Sequence, residues 1–220
     1  MTDIREQDRW ISDHVECLRM EKLVYVRYDI SKGTVYYPIL EYNQWKKINF
    51  HEINWTEDHV FSFILDPVER YLSGISFDLL YNPELTEILL DRGPDLFKQL
   101  LVITPHSVPL HNIFFDHMEN IDWIPAGAGF DDETNFKKLC DHHGIKLDWN
   151  TAVIDPSFKN IYDIKGPVRN MFENDFGSGT RQIWSMLAKD IDFYKTILDN
   201  FNSDAVLWPD VSWKSHTGRQ

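Results

Sequence analysis

One stretch, HVFSFILDPVERYLSGISFDLLY at 59–81, constrains the fold more than any other part of the chain. Residues 60–65 form a short apolar run rich in β-branched and aromatic side chains, the composition of a buried strand. The run stops at Asp66, whose carboxylate suits a helix N-cap. Pro67 fits the first helical position, where a missing N–H costs nothing, and Glu69 stands where it can reach back to the cap. Val68, Tyr71, Leu72, Ile75 and Leu79 then recur at i, i+3, i+4, i+7 and i+11, a core-facing stripe, with Arg70 and Ser73 one turn apart on another face. A helix that starts this abruptly after a strand presents free N–H groups and the positive end of its dipole to an anion. A guanidinium and a hydroxyl beside it add further hydrogen bonds.

The rest of the chain predicts alternating strands and helices. Residues 3–19 place Ile4, Trp10, Ile11, Val15 and Leu18 at roughly helical spacing, and LVYVRY at 23–28 reads as a strand with Arg27 embedded in it. A turn at 29–34, DISKGT, leads into a helix predicted over 35–44; Pro38 argues for a start at Tyr37, because a proline is tolerated in the first turn. WKKINFHEINW at 45–55 reads as a strand with its following loop. Residues 83–101 read as one or two helices broken at Gly93-Pro94, 120–125 as a strand, 126–129 as a turn and 131–143 as a helix. An extended connection at 151–158 and helix from Ile161 onward complete the pattern. It predicts an α/β fold of three layers, a mainly parallel sheet of four or five strands with helices on both faces, in a single domain over 1–220.

With 220 residues, 43% of them apolar and 14% aromatic, the chain can bury one sizeable core, and no Pro/Gly/Ser-rich linker divides it. A net charge of −13 argues against a nucleic-acid partner, which calls for a basic face, but leaves room for an anionic cofactor at a local cluster of Arg and Lys. No apolar run reaches the roughly 18 residues needed to cross a bilayer, and the polar start MTDIREQDRW has no signal-peptide pattern, so a soluble, cytoplasmic protein without a membrane partner is expected. Two cysteines far apart, Cys17 and Cys140, imply no disulfide scaffold. His106, His111 and His117 match no defined metal spacing, and the lone Gly127-Ala128-Gly129 is no dinucleotide fingerprint.

The segment Leu65-Asp66-Pro67-Val68-Glu69-Arg70-Tyr71-Leu72-Ser73 resembles the 3′-phosphate-binding segment of the sulfotransferases that use 3′-phosphoadenosine 5′-phosphosulfate (PAPS). It is most similar to the short bacterial and phage relatives of the carbohydrate sulfotransferases. The family text is strand, Arg-Asp-Pro, two residues, Arg, two residues, Ser; here Leu65 stands at the first Arg. About thirty residues earlier, strand, Lys32-Gly33-Thr34 and helix resemble the family's 5′-phosphosulfate loop. The resemblance covers Leu23 to about Ser76 and implies that Lys32, Gly33 and Thr34 hold the 5′-phosphosulfate, with Lys32 on the bridging oxygen. It further implies that Arg70 and Ser73 hold the 3′-phosphate and that Glu52, or else His51, takes the proton from a hydroxyl or amine acceptor, a carbohydrate or small molecule. The reaction needs no metal. His106-Ser107-Val108-Pro109 is similar to a segment bordering the family's acceptor site, and residues 190–194 resemble its closing helix. Replacement charge for the missing Arg is sought at Arg27, Arg169 or Arg181, the last in a Gly-rich turn. Leu65 leaves a second expectation open: a catalytically inactive sulfotransferase fold acting as a binding or accessory protein. A third, an ATP- or GTP-dependent phosphotransferase, lacks a Walker loop. The absence of an anchor fits a bacterial or virus-infected host.

Overall fold

Five apolar or alternating runs of the chain pair with one another as strands, and the helices at 33–42 and 132–142 pack on one face of the resulting sheet. The computed structural model describes residues 14–29, 33–82, 84, 87, 105–114, 116–127, 129–149, 165–166, 168–169 and 179–203. In chain order, β1 is Val15–Met20, β2 Leu23–Tyr28, α1 Gly33–Tyr42, β3 Lys46–Ile48, β4 His59–Ile64, α2 Pro67–Tyr81, α3 Leu110–Ile113, β5 Asp122–Pro125, α4 Asp132–His142 and α5 Gly179–Ser203. Single 3-10 turns occur at Phe50–Glu52, Pro105–Ser107 and Met118–Asn120. The described chain forms two compact units. The first comprises residues 1–65, 114–154 and 194–220, the second 66–113 and 155–193.

The sheet, order β3-β1-β2-β4-β5, lies in the first unit. It is an α/β arrangement with a mixed sheet, which corrects the mainly parallel expectation: β2–β4 and β4–β5 are parallel, β1–β2 and β1–β3 antiparallel. The antiparallel half comes from residues 15–19, expected to be helical and found as β1. A two-residue turn at Glu21 and Lys22, with Glu21 at φ 53, folds β1 back on β2. A strong partner strand thereby outweighs the helical spacing. Helix α1 begins at Gly33, four residues before the expected Tyr37, and carries Pro38 in its interior.

Because side chains alternate across a strand, the register decides which residues meet. Leu18, Tyr25, Phe61, Phe63 and Ile124 share one face and bury against Tyr36, Ile39 and Leu40 of α1 and Phe136, Leu139 and Cys140 of α4. Tyr36 stacks on Phe63 with ring centroids 4.3 Å apart, and its hydroxyl donates to Asp132 at 2.6 Å, which satisfies the one polar atom it carries into the core. On the opposite face Tyr28 meets Phe114 and Trp123 edge-on, and Ser62 Oγ donates to the Val26 carbonyl at 2.5 Å.

In the second unit α2 starts as its sequence dictates: Asp66 accepts the N–H groups of Val68 at 2.9 Å and Glu69 at 3.0 Å. Tyr71, Leu72, Ile75 and Leu79 are buried as expected, while Val68 is only half-buried. The buried arc is wider than the apolar stripe and takes in Arg70, Gly74 and Ser76. Asp190 of α5 caps the short α3, accepting from Leu110 N at 2.5 Å and His111 N at 3.0 Å. Residues 179–193 of α5 belong to the second unit and 194–203 to the first. Among the described residues no helix is long and apolar enough to cross a membrane. The helices expected over 83–101 fall largely outside the described residues, and the connection 151–158 wholly so.

Gly74 faces the 3-10 turn at Pro105–Ser107 so closely that an added Cβ would lie 2.3 Å from the His106 carbonyl oxygen. Backbone cannot give way as a flexible side chain can, so Gly74→Ala is expected to destabilise the protein by about 1–3 kcal/mol, read as a lower urea midpoint at unchanged m-value. An unchanged midpoint would remove this contact from the packing of α2.

Candidate functional site

A groove of about 560 Å³ opens in the first unit at the carboxyl end of β2. Ligands of α/β proteins gather at this end of parallel strands. Its floor follows from strand register. Glu16 of β1 stands opposite Arg27 of β2, and β3 adds Lys47 from the other side. Arg27 and Lys47 both pair with the Glu16 carboxylate, Lys47 at 2.9 Å. Arg27 also lies over the Tyr37 ring, 5.0 Å from its centroid. The hydrogen bond to Glu16 pushes the Lys47 ammonium up from its ordinary value, and burial, with Glu16 nearby, pushes the Tyr37 phenol up. These partly exposed pairs contribute little stability, about 0–1 kcal/mol each; their effect is to hold two cations on one carboxylate at the groove wall.

The groove brings together the two expected bases and adds a third group. Glu52 closes the 3-10 turn, its carboxylate accepting the Asn49 N–H at 2.6 Å. His51 is exposed, with its ring edge-on to Phe50. The turn is anchored from β1: Arg19 Nη2 donates to the Glu52 carbonyl at 2.8 Å and to Asp58 at 2.5 Å, and Asp58, buried, accepts the Asn54 N–H at 2.7 Å. Opposite this turn His14 Nδ1 meets Asp29 Oδ2 at 2.9 Å. Sequence reasoning missed this pair because residues 15–19 were read as helix, which hides the β1–β2 hairpin that runs between the two. The only available signal was strand alternation running through 15–20 toward a turn at 21–22.

The expected phosphosulfate residues are described only in part. Lys32 lies outside the described residues; Gly33 and Thr34, expected in the turn, are instead the first two residues of α1, and nothing is described of the Thr34 side chain. Arg181 lies near the start of α5, its side chain likewise outside the description.

In the second unit Arg70 is 1% exposed rather than on an open face, and its Nη1 donates to the Val108 carbonyl at 2.5 Å. Ser73 Oγ donates back to the Glu69 carbonyl at 2.8 Å. Glu69 does not reach back to the cap. It pairs instead with Arg169 and with Lys165, the latter at 2.9 Å. Burial pushes the Glu69 carboxyl up, but hydrogen bonds from Arg169 and Lys165 outweigh it and hold the group below its usual range. Arg169, one of the expected replacement cations, thus stands at the first turn of α2. Leu65, in the first unit, packs against the apolar core.

The three histidines weighed as metal ligands have other partners. His106 Nδ1 meets Asp78 at 2.6 Å, His111 Nδ1 meets Asp190 at 2.7 Å, and His117 stacks on Trp55 at 4.1 Å between centroids. Among the described residues no group of three or more His, Cys, Asp or Glu is arranged to hold a metal ion. His142 and His143, expected to face apart, have rings 5.3 Å from centroid to centroid.

A separate cluster lies at the amino ends of β4 and β5, away from the groove. His59 Nε2 is 2.5 Å from Asp122 Oδ2, and the His143 ring is 4.6 Å from that of His59. Burial, then the neighbouring His59 and His142, pushes the His143 imidazole down from 6.5 to about 4, with Asp122 opposing. The unfolded chain takes up this proton near its ordinary value, before the folded protein does. Stability from this group is therefore full above 6.5 and lost as pH falls toward 4. After allowance for solvent screening, the loss amounts to about 1–2 kcal/mol. His143→Gln is expected to flatten this limb in urea midpoints measured through that range; an unchanged limb would assign acid sensitivity to other groups. No protein-family model, curated protein or solved structure matches the chain.

Proposed function

We propose that the chain transfers a sulfuryl group from PAPS to a hydroxyl or amine of a carbohydrate or small molecule. The observation that carries this reading is the parallel pairing of β2 with β4. The chain therefore leaves both strands at their shared carboxyl end, once toward Lys32-Gly33-Thr34 and α1, once toward Asp66-Pro67. A strand followed by a helix that opens at Gly33-Thr34, and the carboxylate-capped helix after the second strand, support the resemblance drawn from their residues. In this reading Lys32, Gly33 and Thr34 bind the 5′-phosphosulfate, Lys32 steadying the leaving oxygen. Arg70 and Ser73 bind the 3′-phosphate, with Arg169 or Arg181 supplying charge that Leu65 does not. Glu52 or His51 takes the acceptor proton. Catalysis rests on in-line positioning and charge stabilisation, without a covalent intermediate.

Specific observations favour a second reading, an inactive sulfotransferase-like fold that binds a partner. The Arg70 guanidinium is buried on a backbone carbonyl, Ser73 is bonded to its own helix, and Leu65 packs into the core. Loss of a bidentate Arg contact weakens phosphate binding by about 1.5–3 kcal/mol.

Thermal melting in the presence of 3′-phosphoadenosine 5′-phosphate separates the two. The enzyme reading expects a higher Tm, corresponding to about 2.7 kcal/mol at a hundredfold excess over Kd. No shift at millimolar nucleotide favours the inactive fold, and a shift with magnesium-ATP alone favours a phosphotransferase. Lys32→Ala is expected to abolish sulfuryl transfer while melting as the parent does; full activity in this variant would remove Lys32 from the mechanism.

A further inference from the structure

We propose that Arg19 is the positioning residue for proton removal: it holds the turn at Phe50–Glu52 so that Glu52, rather than His51, takes the proton of the reacting hydroxyl on Oε1. The inference rests on the sulfuryl-transfer reading and names the base, and the device that holds it, within that reading. Strand register sets the device in place. Arg19 stands opposite Lys46 in the β1–β3 ladder, and β3 runs on through Asn49 into the turn. From there a single guanidinium nitrogen, Nη2, donates to the Glu52 carbonyl at 2.8 Å and to Asp58 Oδ2 at 2.5 Å. Asp58, 7% exposed, accepts the Asn54 N–H on the same oxygen at 2.7 Å. The chain on both sides of Ile53 is thereby tied to β1 through one ion pair. Taking such a pair largely out of water costs about as much as its attraction returns. What it contributes is direction, because one donor nitrogen must stay within reach of two oxygens.

Glu52 is then fixed at both ends. Its carbonyl accepts from Arg19, its Oε2 accepts the Asn49 N–H at 2.6 Å, and its own N–H donates to the Asn49 carbonyl at 2.9 Å. Oε1 accepts no hydrogen bond from the described residues. An ionised carboxylate engaged through one oxygen keeps its lone pairs on the other, so Glu52 takes up a proton on Oε1 without releasing Asn49. Glu52 and His51 both line the groove. His51, however, is exposed, and among the described residues only the edge of its ring meets Phe50. A base acts through placement within hydrogen-bond reach, which favours the tethered group over the loose one.

In the step itself the acceptor oxygen bonds to sulfur as the bond between sulfur and the 5′-phosphate oxygen breaks. That bond's electron pair stays on the phosphate, giving 3′-phosphoadenosine 5′-phosphate. The hydroxyl proton passes to Glu52 Oε1, and the carboxylic acid later returns it to water.

Two measurements on the full chain test this, each made on Arg19→Gln and on Arg19→Gln with Asp58→Asn, the pair that leaves no buried carboxylate uncompensated. Hydrogen exchange at the Asn49, Glu52 and Ile53 amides should quicken by about 10-fold or more, with the β4 amides exchanging as in the parent. Unchanged exchange in the turn, or equal acceleration in β4, overturns the clamp whatever the protein does with PAPS. In turnover at mildly alkaline pH, the variants should lower transfer from PAPS to methyl glucoside, relative to 4-nitrophenol, by about 10-fold or more, through kcat rather than KM. The largely ionised nitrophenol needs no base, so a merely structural loss would strike both acceptors alike. Glu52→Gln should lower the same ratio, and Arg19→Gln added to it should lower it no further. Equal loss with both acceptors, no loss with either, or a ratio lowered by His51→Gln and not by Glu52→Gln, overturns the assignment. If the parent transfers to neither acceptor, the base assignment falls; if 3′-phosphoadenosine 5′-phosphate also leaves its Tm unmoved, the sulfuryl-transfer reading falls with it.

Discussion

Strand β4 is the constraint on which the rest of the sheet depends. Every residue from Val60 to Ile64 is buried, with β2 on one side and β5 on the other, both parallel to it. A strand in this position has no exposed edge, so its backbone groups are satisfied by neighbours and its side chains must be apolar on both faces. FSFI meets that demand with one exception, Ser62, whose hydroxyl is absorbed by the Val26 carbonyl. Phe61 and Phe63 then supply the aromatic surface on which α1 and α4 close, each ring contributing about 1.5–3 kcal/mol by leaving water.

What was legible in the sequence follows from how local each signal is. The apolar run ending at Asp-Pro specifies β4 and the start of α2 within a few residues, and the structure has the strand, the cap and most of the stripe. Residues 15–19 were misread because their spacing suits a helix equally well; the partner strand after the Glu21 turn decides between the two. Arg70 was placed off the core-facing stripe by helical spacing, yet it is buried. It lies one turn from Gly74, and backbone carbonyls face both: Val108 accepts from Arg70, and the His106 carbonyl crowds Gly74. A backbone acceptor of this kind, nearly forty residues away in sequence, leaves no local trace. The pairing of His14 with Asp29 was hidden for a similar reason, since the two sit just beyond the paired ends of a hairpin whose first strand was read as helix.

The charge pattern shows how an acidic chain keeps cations where they are useful. A net charge of −13 gives an anionic ligand no long-range attraction, so any phosphate must be held by short-range contacts. Glu16 gathers Arg27 and Lys47 at the groove, and Glu69 gathers Lys165 and Arg169 at the first turn of α2. In each case a single carboxylate holds two cations in place.

The central proposal is that Lys32, Gly33 and Thr34 hold the 5′-phosphate, and Arg70 and Ser73 the 3′-phosphate, of one doubly phosphorylated adenosine. A crystal structure of the protein soaked with 3′-phosphoadenosine 5′-phosphate tests it most directly. The account predicts the 5′-phosphate on Lys32, Gly33 and Thr34 and the 3′-phosphate at the start of α2 beside Arg70 and Ser73. A nucleotide bound elsewhere, or none at millimolar concentration, would contradict it.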